Sequence, residues 1–327
     1  MPTFTIHEDQ NEFMTTWDDT KAQYALIRAN NIQFLVPFLD INLIKKTDLT
    51  KLIHEYDDQV FTLFNKLSGL PTNMDLDPPI LGRYFVKADA HVVGAAYYGH
   101  LWTSQNGHSI KDYLTINWLP IHEIGHGYEI PNDGMNIVDV FNNVYCTIYQ
   151  ENYLTDFIKN SWLFRENKDK VVNELYTKLV NDHLTYNQIN SYGLRLLMLM
   201  NLVDFKGKSG FTKFNEYHRQ LTNAGYHKLA RDFGSVCTIM FANEYGINII
   251  PYLNITGIHI DAIVAANILN AHKQTAAMVG QVVPDDQIND VLQKLGWDTE
   301  DIKSKLSLIT NDQLALLGLK INIYFTY

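Results

Sequence analysis

Apolar residues change their spacing between residues 100 and 110 of this 327-residue chain, and this change constrains the fold more than any other feature. Before residue 100 they form short runs typical of strands, at residues 24–27, 32–37, 80–86 and 91–98, around one amphipathic helix at residues 48–67. After residue 110 they recur every three or four residues, which predicts helices at 110–128, 135–157, 168–183, 187–203, 210–223 and 227–244. We therefore expect an α+β fold that is mostly α, with a small N-terminal β-sheet followed by a helical lobe.

The predicted elements divide the chain into a large domain at residues 1–250 and a small C-terminal subdomain at residues 251–327. Within the large domain, a sheet-containing lobe covers residues 1–130 and a helical lobe covers residues 131–250. Connections are expected at 71–79 and 251–257, helices at 261–271, 285–295 and 311–317, and a last strand at 319–325. An apolar terminal strand needs a partner, so we expect the natural polypeptide to continue past Tyr327.

Charge and composition exclude several classes of function. The chain has 26 Lys and Arg against 36 Asp and Glu, a net charge of -10, and lacks the basic surface that nucleic acid requires. No apolar run approaches the length of a membrane span, and the N-terminus has neither the basic start nor the apolar run of a secretory signal. Cys146 and Cys237 lie in apolar surroundings, so we expect buried free thiols.

The segment His122-Glu123-Ile124-Gly125-His126 carries the residue types of a zinc hydrolase. On a helix, two histidines four residues apart project from one face and can share one metal ion. Glu123 lies beside them, where a carboxylate can take a proton from a water molecule that zinc has made acidic. The pattern therefore predicts a Zn²⁺ site with His122 and His126 as ligands and Glu123 as general base.

Zinc in a catalytic site takes a third ligand from the protein, and three acidic residues are candidates. Glu129 is seven residues after His122, on the same face, but binding along three successive turns of one helix would strain tetrahedral geometry. Asp139 and Glu151 both fall on the next predicted helix, where only one of them is expected to face the metal.

The run Val92-Val93-Gly94-Ala95-Ala96-Tyr97-Tyr98-Gly99 is a predicted strand with small residues and flanking glycines. Glycine in a strand often marks the close approach of another backbone, so a substrate chain paired along this strand is one interpretation. A bulge or tight sheet packing is the alternative.

Three segments in this order resemble the catalytic domain of the enhancin family, the viral and bacterial metallopeptidases grouped with mucin-degrading gluzincins. They are residues 94–99, residues 122–128, and Asp139-Val140-Phe141-Asn142-Asn143. A looser likeness runs from about Trp17 to about Tyr245. The resemblance implies a zincin-like fold, Zn²⁺ as cofactor, and a third ligand at Asp139, where the family has glutamate. It also implies substrate binding by Gly94, Ala95, Ala96, Tyr97 and Tyr98, and hydrogen bonding near the site by Asn142 and Asn143.

The same resemblance implies a metalloendopeptidase that cleaves mucin-type glycoproteins and opens a host barrier to a pathogen, and it implies either extracellular action or association with a virion or its occlusion body. Two other functions compete with it. A catalytically inactive zincin-fold protein that only binds glycoprotein would account for aspartate at position 139. An aminopeptidase-like gluzincin is the other, although the chain lacks the Gly-rich run followed by Glu that would bind a substrate amine.

Overall fold

Two asparagines between apolar runs form the first turn of the central sheet. In the computed structural model, which describes residues 1–70, 83–91, 93–165, 167–269, 274–278, 293 and 306–310, strands β2 (Tyr24–Arg28) and β3 (Ile32–Pro37) pair antiparallel. Buried Asp57 accepts hydrogen bonds from the backbone N–H groups of Asn30 and Asn31 at 2.8 and 2.9 Å. The buried carboxylate therefore satisfies two backbone donors of this turn.

The first of two compact units comprises Met1–Glu129 and Phe141–Tyr153. Its mixed sheet has the strand order β1-β2-β3-β4-β6-β5. The other strands are β1 (Thr3–Thr5), β4 (Tyr84–Asp89), β5 (Ala96–Tyr98) and β6 (Trp102–Asn106). Because β5 pairs only with β6 among the described residues, β5 is an edge strand.

One face of this sheet is covered by helices of the same unit. Phe4 contacts Phe13, Phe34 contacts Tyr56, and Tyr84 contacts Phe61, with ring centroids 5.2 to 6.2 Å apart. The helices are α1 (Gln10–Thr20), α2 (Ile41–Ile44), α3 (Leu49–His54), α4 (Thr62–Leu67), α5 (Trp118–Gly125) and α6 (Phe141–Tyr153). A π-helical segment, Glu55–Phe61, joins α3 to α4 and makes one continuous helix. Aromatic packing between sheet and helices thus forms the core of this unit.

The second unit comprises Ile130–Val140 and Leu154–Tyr327. Its helices are α7 (Phe157–Asn160), α8 (Lys168–Tyr176), α9 (Tyr192–Asn223), α10 (His227–Ala230), α11 (Phe233–Tyr245), α12 (Ile250–Thr256) and α13 (Ala262–Leu269). A sheet with the order β7-β8-β9 is formed by Ile247–Asn248, Gln274–Met278 and Leu306–Thr310. Within α9, Gly207 has φ 71° and ψ -175°, so the backbone breaks there, between the two helices that the sequence predicts.

Several predicted elements are confirmed. Strands β2 and β3, the continuous helix from Leu49 to Leu67, and α8 and α13 lie where apolar spacing places them. The sequence analysis missed α1, which is polar apart from Phe13, Met14 and Trp17, and also the strands β1, β6, β7, β8 and β9. Described residues therefore form a mostly helical α+β protein with a small mixed sheet.

Four predicted elements are wrong in extent or type. The strand at 91–98 is reduced to β5, because Gly94 has φ +85° and lies outside the ladder. The helix at 110–128 begins only at Trp118, after Asn117. The connection predicted at 251–257 is instead helix α12 (Ile250–Thr256), with Pro251 in its first turn and Gly257, which has φ 66°, as its C-cap.

The predicted helix at 135–157 begins only at Phe141. Gly134 and Asp139 have φ angles of 84° and 58°, which an α-helix does not accept. The interpretation that Asp139 lies on a helix is therefore wrong, and Asp139 lies two residues ahead of α6.

The predicted loop at 71–79 and the elements at 285–295, 311–317 and 319–325 fall outside the described residues, apart from residue 293. The domain limits at residues 130 and 250 stay predictions. Within the described part of the chain, no helix has the length and apolar character needed to cross a membrane.

Candidate metal centre

Helix α5 begins where a side chain caps it and ends just after the first histidine. The Asn117 side chain accepts a hydrogen bond from Leu119 N at 2.9 Å, and Pro120 lies in the first turn, where an N–H is not needed. The helix ends at Gly125, and a 3₁₀ turn, His126–Tyr128, follows. His122 and Glu123 are buried, while His126 is half-buried.

The two histidines and one of the three candidate acids lie together. One ligand atom from each of His122, His126 and Asp139 lies within 4.8 Å of the others. The imidazole rings of His122 and His126 are 4.9 Å apart between centroids. In the sequence, only Val140 separates Asp139 from Phe141, the first residue of α6.

Asn143 orients the ring of His122. Asn143 Oδ1 lies 3.2 Å from His122 Nδ1 and also accepts a hydrogen bond from Trp118 Nε1 at 2.9 Å. The Trp118 ring packs on the His122 ring with centroids 4.5 Å apart. An Nδ1–H donated to Asn143 favours the tautomer that leaves His122 Nε2 as an unprotonated ligand.

Asn142 lies between the two imidazoles. Its Nδ2 donates to the backbone oxygen of His122 at 3.1 Å and lies 3.1 Å from His122 Nδ1 and 3.2 Å from His126 Nε2. Asn142 Oδ1 is buried and has no hydrogen-bond partner among the described residues. A buried acceptor without a donor is costly, so this position suits a polar group that binds beside the histidines.

Glu129 contacts the far side of His126. Its Oε2 lies 3.2 Å from His126 Nδ1, and its Oε1 is buried without a hydrogen-bond partner among the described residues. A carboxylate on Nδ1 orients an imidazole so that Nε2 faces a metal. The third acidic candidate, Glu151, is exposed near the end of α6.

The sheet supports this helix through Tyr84, whose hydroxyl donates to the backbone oxygen of Glu123 at 2.9 Å. Burial raises the pKa of Tyr84 well above 10, and the nearby Glu123 carboxylate adds to the rise. Tyr84 therefore stays protonated and keeps its donor role at neutral pH.

The edge strand β5 brings Tyr98 against the site. The Tyr98 ring stacks on His126 and on Tyr84, with centroids 5.8 and 6.2 Å apart. Burial, and after it the charge of Glu129, raises the pKa of Tyr98. Tyr97 points to the other face of the sheet and packs on Trp102 at 5.0 Å. Gly94 and Ala95 are exposed and precede the strand, so only Ala96, Tyr97 and Tyr98 of the predicted substrate segment lie in it.

Three contacts escaped the sequence analysis. The first is the packing of Trp118 on His122, and its sequence signal is that the two residues are four positions apart and therefore share a helix face. Gly125 interrupts a helix otherwise rich in large residues, and a Cβ atom there would lie 2.9 Å from the backbone oxygen of Asn142. The contact of Glu129 with His126 Nδ1 has no sequence signal, because it depends on the 3₁₀ turn between them.

A family model for peptidase M60, enhancin and enhancin-like proteins matches residues 1–257, which is most of the chain. The chain belongs to this family. The resemblance to enhancins is thereby confirmed, and the family consists of metallopeptidases, which are hydrolases. Membership implies a metal ion, and the cluster of His122, His126 and Asp139 is a candidate site for it.

Relatives and solved structures agree with this membership. The viral-enhancing factor of Heliothis armigera granulosis virus is 28% identical over 150 residues, which are 43% of this chain and only 16% of the relative. The ZmpB metallopeptidase from Clostridium perfringens has a TM-score of 0.63 at 17% identity, over 83% of this chain and 56% of that chain.

A second solved structure, IMPa from Pseudomonas aeruginosa in complex with an O-glycopeptide, has a TM-score of 0.61 at 14% identity. The match covers 95% of this chain and 41% of that chain. Identities this low show the fold alone. The mostly helical α+β fold with a small mixed sheet is therefore that of M60 proteins.

Proposed function

We propose that this M60 chain is a zinc-dependent endopeptidase domain of zincin-like fold that cleaves mucin-type glycoproteins. The observation that carries the proposal is the cluster of His122, His126 and Asp139 next to the buried carboxylate of Glu123. Two imidazoles and one carboxylate are a donor set that catalytic zinc accepts, with a further position left for water or substrate. Asn143 contacts Nδ1 of His122, and Glu129 contacts Nδ1 of His126. These contacts support metal binding through the Nε2 atom of each histidine.

Zinc, when bound, would supply a polarised carbonyl and a water molecule of lowered pKa. The chain supplies the rest of the chemistry. Glu123 takes the proton of the attacking water and returns it to the leaving amine, as a general base and then a general acid. Tyr84 fixes the helix at the residue that performs this transfer, since it binds the backbone oxygen of Glu123.

The edge strand β5 supports an endopeptidase that holds its substrate by backbone pairing. An extended peptide can add to a free strand edge, and Tyr98 on this strand stacks directly on His126. A peptide paired with Ala96, Tyr97 and Tyr98 would therefore run beside the histidines. We assign substrate binding chiefly to these three residues, with Gly94 and Ala95 continuing the path beyond the strand.

The glycoprotein substrate is supported by likeness to IMPa, whose structure is in complex with an O-glycopeptide. Because this chain spans a small share of its viral relatives, glycoprotein cleavage is proposed here for the domain that the chain contains. The family match ends at residue 257, close to the predicted limit at residue 250, and residues 251–327 are proposed as a separate subdomain.

The test measures bound zinc by mass spectrometry and cleavage of an O-glycosylated mucin and of the same mucin after deglycosylation. We expect one zinc ion per chain and cleavage of the glycosylated substrate. Glu123→Gln is expected to keep zinc and lose activity, while Glu151→Gln, a matched change on the exposed surface of α6, keeps both.

The other outcomes discriminate the competing functions. A chain that binds mucin without zinc and without cleavage is a glycoprotein-binding protein, and the peptidase proposal is then wrong. Removal of single N-terminal residues from short peptides, with no internal cleavage of mucin, identifies an aminopeptidase instead.

A further inference from the structure

An asparagine of the same unit binds the segment that carries Asp139 at two backbone groups. Asn187 Oδ1 accepts a hydrogen bond from the backbone N–H of Asn136 at 3.0 Å, and Asn187 Nδ2 donates to the backbone oxygen of Gly134 at 2.7 Å. One side-chain amide thus satisfies two backbone groups of the segment Ile130–Val140, which we call the ligand loop.

Two arginines hold the same loop. Arg195 Nη1 donates to the backbone oxygen of Asn136 at 3.1 Å. Arg231 makes a two-pronged ion pair with Asp133, at 2.9 and 2.7 Å, and its backbone oxygen accepts from Asp133 N at 2.8 Å. Residues distant in sequence therefore fix the loop at Asp133, Gly134 and Asn136, three to six positions before Asp139.

Arg195 is an unusual residue for this task, because its side chain is buried. It is 5% exposed, and among the described residues it has no carboxylate partner and its Nε has no hydrogen bond. Its guanidinium lies 5.9 and 5.0 Å from the ring centroids of Tyr186 and Tyr192. A buried charge without a carboxylate costs stability, so folding alone does not explain this arginine.

The backbone at Asp139 is strained. Its φ of 58° is left-handed, a conformation that residues other than glycine adopt at a cost. Ile137 and Val140 on either side are buried, 6% and 0% exposed, and keep the segment from relaxing. Strain of this kind persists where the surroundings fix the backbone, and it often accompanies a functional residue.

We propose that Asn187 and Arg195 are positioning residues that hold the ligand loop so that the Asp139 carboxylate is presented before the metal binds. This inference rests on the proposed metal site. Pre-organisation reduces the ordering that binding would otherwise require, and residues that orient metal ligands typically change affinity 10- to 100-fold.

The test compares zinc affinity with the stability of the metal-free protein, both measured on the 327-residue chain. Arg195→Met replaces the guanidinium with an apolar side chain. We expect zinc affinity, measured by competition with a chromophoric chelator, to fall about 10-fold. The midpoint of denaturant unfolding without metal is expected to stay the same or rise, because a buried unpaired charge is removed.

Two further variants sharpen the result. Arg195→Lys keeps a donor for Asn136 O and is expected to restore part of the affinity. Asn187→Ala removes both hydrogen bonds to the loop and is expected to weaken zinc binding as Arg195→Met does. Lys178→Ala, which breaks the exposed Lys178–Asp182 pair of the same unit, is the control and leaves affinity unchanged.

Failure of the inference is distinguishable from failure of the proposed function. If the wild-type chain binds no zinc, or if the His122→Ala variant binds zinc with the same affinity as the wild type, the proposed metal site itself is wrong. If the wild type binds zinc through His122 and both loop variants bind it with wild-type affinity, only the positioning roles are wrong. Parallel loss of affinity and of metal-free stability in Arg195→Met would assign Arg195 a purely structural role and also overturn the inference.

Discussion

Gly125 and Asn142 lie in such close contact that a Cβ atom on the glycine would come within 2.9 Å of the asparagine backbone oxygen. This contact sets the separation of α5, which carries His122, from α6, which carries Asn142 and Asn143. Gly125→Ala is expected to push the helices apart and lower the free energy of unfolding by about 1–3 kcal/mol.

The same substitution is expected to weaken zinc binding, because Asn143 moves away from His122 Nδ1. Chelator competition and denaturant unfolding measure the two effects. Gly127→Ala is the matched control, since a Cβ atom there would come no closer than 3.7 Å to Tyr84 and Tyr98. Equal behaviour of the two alanine variants would contradict the prediction.

Asn143 Oδ1 accepts a hydrogen bond from Trp118 Nε1 and lies 3.2 Å from His122 Nδ1. Asn143→Ala removes this oxygen, and we expect zinc affinity to fall about 10- to 100-fold. Asn143→Asp retains an acceptor at the same place and is expected to keep most of the affinity. Titration of each purified variant with zinc gives the comparison, and an aspartate variant as weak as the alanine variant would refute it.

Asp139 combines a proposed ligand with a left-handed backbone, so its substitution separates metal binding from stability. Asp139→Gly and Asp139→Ala both remove the carboxylate and are expected to abolish tight zinc binding. Glycine accepts a φ of 58° without strain, so the glycine variant is expected to be more stable than the alanine variant by about 1 kcal/mol. Denaturant unfolding of the metal-free variants measures this difference, and an alanine variant of equal stability would contradict it.

The burial of His218 in α9 is expected to make the free energy of unfolding depend on pH. Burial, and then the charge of neighbouring Arg219, lowers its pKa below the ordinary value of 6.5. The unfolded chain therefore binds a proton more readily, and the free energy of unfolding is expected to fall as pH drops from 6.5 to the lower folded pKa.

Unfolding of metal-free protein at about pH 7.5 and about pH 5.5 measures this loss, because the ordinary histidine pKa lies between them. His218→Gln, which does not titrate, should lose less stability between these two conditions than the wild type. An identical loss in both proteins would show that other groups cause it.

Features of the fold that depend only on residues a few positions apart could be predicted from the sequence. Short apolar runs at residues 24–27 and 32–37 predicted strands β2 and β3, which pair antiparallel. The spacing of His122 and His126 predicted that their rings lie close together, and the ring centroids are 4.9 Å apart. Features of this kind depend on the spacing of neighbouring residues, and this spacing can be counted directly in the sequence.

The parts that failed depend on contacts distant in sequence. Ile137 and Val140 have helical spacing and predict a helix at Asp139, but the backbone there is left-handed. What holds this segment is Asn187, 51 positions after Asn136, and Arg195, 59 positions after it. The contact of Glu129 with His126 Nδ1 could not be predicted for a similar reason, since it depends on the 3₁₀ turn that directs the Glu129 carboxylate there.

The short edge strand β5 limits how a substrate could be selected. With three residues, it offers about two or three main-chain hydrogen bonds to a paired peptide. Such pairing carries little information about side-chain sequence and little free energy. An enzyme with so short an edge strand would accept many peptide sequences. It would select its substrates instead by the groups that are attached to the peptide.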